Sequence, residues 1–185
     1  AGYQHTCALL SDGRVKCWGD NQYGQLGLGD TARRGDGPGE MGADLPAVDL
    51  GPGTTAIAVD AGNLHSCALL LGGDVKCWGF GLEGQLGLGD NKFRGDGPGE
   101  MGAMLPPVDL GGPAIAISTG LSFTCALLSD GSVKCWGYNG FGQLGLGDTQ
   151  NRGDDPGELG DNLPYVDLGK NRTAIQIAAA YFHSC

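Results

Sequence analysis

Apolar residues in this chain come in short bursts bounded by glycine, and no stretch sustains a helical period. Within one representative stretch the bursts run from Pro46 to Leu50, Ala56 to Ala61, Ser66 to Leu71 and Asp74 to Phe80. In the second of these, Ile57 and Val59 alternate with small residues. Short length, β-branched and aromatic content and flanking Gly predict four strands. A helix through the same glycines would lose about 1 kcal/mol at each interior position.

The pattern then repeats. The phrase from Cys7 to Gly19 returns from Cys67 to Gly79 and from Cys125 to Gly137. GQLGLGD recurs at 24–30, 84–90 and 142–148, and RGD-x-PGE-x-G-x-x-LP-x-VDLG at 34–51, 94–111 and 152–169. Lead cysteines at 7, 67, 125 and 185 give steps of 60, 58 and 60. Four strands in a unit of this length predict an all-β fold of three consecutive propeller blades. The expected units are 1–60, 61–118 and 119–178, with 179–185 opening a fourth. The chain is therefore expected to be a segment of a longer protein, or one whose ends stack on copies of itself.

The phrases resemble the regulator of chromosome condensation repeat family. The resemblance is carried by Ala1-Gly2-Tyr3-Gln4-His5-Thr6-Cys7-Ala8-Leu9, Gly13-Arg14-Val15-Lys16-Cys17-Trp18-Gly19-Asp20-Asn21 and Gly24-Gln25-Leu26-Gly27, and by their later copies. It implies a propeller of seven blades. It does not imply one function, because the family spans exchange factors, ubiquitin-ligase domains and a secreted inhibitor. The paired cysteines and the acidic RGD-x-PGE insertion depart from the intracellular members. They look like a disulfide-containing, alpha-tubulin-suppressor-like extracellular branch.

The cysteine spacing has its own geometry. If Ser11-Asp12-Gly13 is a three-residue hairpin loop, Cys7 falls opposite Cys17 in a non-hydrogen-bonded pair, where side chains are closest. The same register sets Cys67 against Cys77 and Cys125 against Cys135. Zinc prefers shorter Cys spacings. Three disulfides are expected, and with them an oxidising compartment. Reduced core cysteines are the alternative. Asn171-Arg172-Thr173 is an N-glycosylation sequon, making Asn171 a candidate for a glycan if the source is a eukaryote.

Composition narrows the function. The net charge is −10 and the 11 basic residues are scattered, which argues against nucleic acid. No run reaches the length of a membrane span. Gly makes up 37 of 185 residues, yet it falls in fixed phrases rather than low-complexity tracts. Nearly every polar group occurs three times, whereas a catalytic site is normally unique, so no enzyme is expected. His5, His65 and His183 share a repeat position that Phe123 also occupies, which suits space-filling better than catalysis.

The remaining candidates are softer. Asp30, Asp36 and Glu40, with Asp90, Asp96, Glu100, Asp148, Asp154 and Glu158, form a repeated acidic set that would suit calcium. The competing reading pairs Asp30 or Asp36 with Arg34 and gives the other acids to turn amides. The RGD tripeptides sit inside a long repeated phrase, which suits structure better than adhesion. Positions that differ between units are Tyr3, Tyr23, Phe80, Leu82, Tyr138, Phe141 and Tyr181, and these are the candidates for contact with a protein partner. The reading is a non-enzymatic extracellular or cell-surface scaffold for protein binding or self-assembly. A calcium-dependent adhesion module and an intracellular exchange or signalling propeller are the alternatives.

Overall fold

The computed structural model describes residues 1–184. Among them the strands are β1 (His5–Leu9), β2 (Val15–Gly19), β3 (Ala56–Ala61), β4 (His65–Leu70), β5 (Val75–Gly79), β6 (Ala114–Thr119), β7 (Phe123–Leu128) and β8 (Val133–Gly137). They form antiparallel sheets β1-β2, β3-β4-β5 and β6-β7-β8. Each full sheet is a blade whose strands run outward from β3 or β6. The blades stack side by side, β1 against β3 and β4 against β6.

The fourth predicted strand of each unit lies along the outer edge without forming a ladder. One backbone bond joins it to the strand beside it, Val48 N–H to Val15 O at 2.8 Å, repeated as Val108 to Val75 and Val166 to Val133. Pro46, Pro106, Pro107 and Pro164 explain this, since proline lacks the N–H that a ladder needs. The strand expected from Ala174 to Ala178 is likewise not formed. Its counterparts β3 and β6 pair with the hairpin that follows them. Residues 174–179 instead lean on the third blade through Ala174 N–H to Gly131 O and Ala179 N–H to Ser118 Oγ, both 2.8 Å.

Hairpin chemistry sets the register. Leu10 N–H donates to Arg14 O, and Gly13 closes the loop at φ 80°, in the left-handed region. Cys7 then faces Cys17, Cys67 faces Cys77 and Cys125 faces Cys135, each with Cα atoms 4.1 Å apart and joined as a disulfide. Closing a loop of this size stabilises by about 3 kcal/mol in the chain-entropy model.

The core lies in the seams between blades. Trp78, Leu26, Val15, Leu50 and Leu105 fill the first seam. Trp136, Leu86, Val75, Leu110 and Leu163 fill the second. Each seam also carries one polar node. Ser66 Oγ and Trp78 Nε1 both donate to the Gln25 carbonyl, at 3.0 and 3.1 Å, and His5 Nε2 lies 2.8 Å from Ser66 Oγ. Thr124 and Trp136 converge in the same way on the Gln85 carbonyl, at 3.2 and 3.0 Å, with His65 Nε2 3.0 Å from Thr124 Oγ1. The hydroxyl hydrogen goes to the carbonyl, so in each case Nε2 carries the imidazole proton. Gly27 and Gly87 let the GQLGLGD turn lie flat on the tryptophan. A Cβ there would meet Trp78 Nε1 at 2.8 Å and Trp136 Nε1 at 2.7 Å.

Candidate functional site

The loops that leave the His65 and Gly79 ends of the strands gather on one face of the blade stack, and the positions that vary between units gather with them. They divide into two zones. In the inner zone, the turns at residues 1–3, 61–63, 119–121 and 179–181 line a cavity of about 290 Å³. Asn63 N–H donates to Leu121 O and Leu121 N–H to Tyr181 O, linking successive turns. Tyr3 and Tyr181 stand at this cavity, 67% and 56% exposed.

The outer zone is a rim of aromatics. Tyr23 packs edge-on against Phe80 and Phe93, with centroids at 5.1 and 5.4 Å, and Phe80 stacks on Phe93 at 5.2 Å. Tyr23 and Phe80 are thus partly spent on each other across the seam. Tyr138, Phe141, Phe182 and Tyr181 form a second chain of edge contacts, with Phe141 the most open at 69% exposed. Leu82 projects beside the first cluster, half exposed. Phe93 is missing from the partner set drawn from sequence, although Arg33, Phe93 and Asn151 at one repeat position were the available signal.

The acidic set is brought together in the RGD-x-PGE loops, but as struts. Asp30, Asp90 and Asp148 each hold the arginine four residues on, Arg34, Arg94 and Arg152, at 2.6 Å. Glu40 accepts N–H bonds from Gly35, Asp36 and Gly37, and these amides hold its carboxyl below the usual range. Glu100 and Glu158 accept the matching amides. Asp96 and Asp154 are pushed up, chiefly by burial, with Glu100 and Glu158 beside them. Among the described residues no three His, Cys, Asp or Glu side chains stand together as a metal-ligand group. Each RGD arginine pairs with an aspartate outside its own tripeptide. Arg94 and Arg152 keep only 18% and 14% of their side chains exposed, which is a framework role.

His5 and His65 are buried in the seams. Burial pushes His5 down to about 4 and His65 down to about 3, so both are neutral at physiological pH. Lys76 and Lys134 are buried too, and burial lowers both. Lys76 Nζ donates to Leu50 O and Gly102 O at 2.9 Å, and Lys134 Nζ to Gly160 O at 2.7 Å. These groups join blades, and no nucleophile with a base beside it is formed by them. Asn171 is exposed on a turn at φ 59°.

Comparison with known proteins agrees with this geometry. The regulator of chromosome condensation (RCC1) repeat matches residues 1–25, 56–85 and 114–143 in one form and 130–185 in another. The chain is 35% identical over 148 residues to the human (Homo sapiens) probable E3 ubiquitin-protein ligase HERC4, covering 80% of this chain and 13% of that protein. It is 32% identical over 152 residues to the ultraviolet-B receptor UVR8 of Arabidopsis thaliana, covering 80% of this chain and 31% of the receptor. Among solved structures, Prp20p from Saccharomyces cerevisiae superposes with a TM-score of 0.72 at 20% identity, over 100% of this chain and 41% of Prp20p. The chain thus spans well under half the length of these relatives. With blades, seams and repeat phrases in agreement, the chain belongs to the regulator of chromosome condensation repeat family.

Proposed function

We propose that the chain is a non-enzymatic propeller scaffold that holds a protein partner or further copies of itself, and that it works outside the cell or at its surface. The observation that carries the compartment is the set of three cross-strand disulfides, one in each of the equivalent pairs β1-β2, β4-β5 and β7-β8. Such bonds persist in oxidising surroundings and are rare in the cytosol. The scaffold role rests on the division of labour among side chains. Repeated polar groups are committed to seams and struts, while exposed aromatics vary from unit to unit on a rigid support. In a eukaryotic secretory route, the exposed Asn171 would also be a glycan acceptor.

A second reading, an intracellular exchange or signalling module, is favoured by the relatives. HERC4 is named as a ubiquitin ligase, and Prp20p was characterised for its binding to Gsp1p and histones. The state of the thiols separates the two. In protein from its native source, the peptides holding Cys7, Cys17, Cys67, Cys77, Cys125 and Cys135 are expected to resist alkylation until reduced, as read by mass spectrometry. Full alkylation without reductant would move the protein to the second reading.

A further inference from the structure

The three units act as controls for one another, and one of them breaks ranks. The rim loops share a frame: the Gly19–Arg34, Gly79–Arg94 and Gly137–Arg152 bridges, the Asp–Arg pairs and the Glu on its amides. On that constant frame, unit two carries Leu82, Lys92, Phe93 and Met104. Unit one has Gln22, Ala32, Arg33 and Asp44 at these positions, and unit three has Gly140, Gln150, Asn151 and Asn162. All four unit-two residues line one open concavity of about 560 Å³. Leu82 is 48% and Met104 72% exposed. Phe93 is fixed in its wall by Phe80 and Tyr23, whereas in unit one the matching pair is an ion pair, Asp20 to Arg33 at 2.9 Å.

The charges lining the concavity sort in the same way. Arg94 is committed to Asp90, and Glu100 to the Gly95 and Gly97 amides. Asp96 lies against Glu100, which with burial disfavours its charge. The exposed Lys92 ammonium has no side-chain or carbonyl partner among the described residues. Three apolar walls beside one uncommitted cation complement an apolar side chain next to a carboxylate. The net charge of −10 disfavours a run of acids, so one carboxylate fits and an acidic tract does not.

We propose that the unit-two concavity, with Leu82, Phe93 and Met104 as apolar walls and Lys92 at its lip, docks a partner-protein segment presenting an apolar side chain next to a single carboxylate. This rests on the scaffold reading and locates it. The test is selection of a random displayed peptide library on the full chain, followed by anisotropy titration of the enriched peptides. They are expected to share an apolar residue adjacent to Asp or Glu. L82Q/M104D should weaken them about tenfold and K92A about threefold. Gln22 and Asp44 already occupy the matching positions of unit one, so the double variant has a folded precedent. Enriched peptides that bind L82Q/M104D as tightly as the parent overturn this site and leave the scaffold reading standing. A library that yields no saturable binder below ~1 mM overturns this site together with the partner-holding form of the scaffold reading.

Discussion

The seams between blades and the rim above them are built from the same repeat, yet they treat it oppositely. At the seams, Gln25 with Trp78 and Gln85 with Trp136 reproduce one node almost atom for atom. At the rim, equivalent loops carry an ion pair in unit one and an aromatic stack in unit two. The seam is buried and close-packed, so a change on one blade must be matched on the next. The rim is open, so its side chains differ without cost to folding. In a repeat protein, sameness between units therefore marks what holds the fold, and difference marks what is free to recognise a partner.

The comparison breaks most readily at the tryptophans. Trp136→Ala empties the second seam and leaves the Gln85 carbonyl with one donor fewer, and should cost about 3–5 kcal/mol in denaturant unfolding. A loss below ~1 kcal/mol would show that the seams are not the core.

Acid is the next probe. His5 and His65 have folded-state values below the unfolded value of 6.5, so the unfolded chain binds more protons between these limits. Stability is then fully present above about pH 6.5 and lost as pH falls toward 4 and 3. At pH 5 each histidine should account for a loss of about 2 kcal/mol relative to pH 7. His65→Phe imports the residue that unit three places at Phe123, fully buried against Gly120. It should remove about half of that sensitivity while Thr124 still bonds Gln85. An unchanged pH slope in unfolding titrations would mean that these rings are not the titrating groups.

The smallest effect belongs to the rim. L82Q/M104D should shift stability by no more than about 0.5 kcal/mol, read from the same unfolding curves. A larger loss would mean that the concavity is core rather than recognition surface.

Much of this architecture is legible in the chain. Register follows from the glycine-closed loop, and Cys7 opposite Cys17 follows from register by counting. The fold class and the repeat family are likewise carried by local phrases. Apolar spacing at 46–50 reads as a ladder strand, but that spacing says nothing of the N–H donor that Pro46 lacks. The site was half legible. Tyr3, Leu82 and Phe141 are exposed as variable positions should be, but Phe93 lies outside the variable stretches after each Trp-Gly, and its packing on Phe80 and Tyr23 is a tertiary contact.

The sequence by itself determined which residues alternate, where the chain turns and which thiols can meet, because these depend on backbone geometry within one hairpin. Only the tertiary structure decided that His5 reaches Ser66, that Asp30 rather than Asp36 holds Arg34, and that Lys92 and Met104 share one hollow. Those outcomes depend on how blades abut and how each loop folds back on itself, where burial and donor–acceptor matching select among contacts that spacing leaves equivalent.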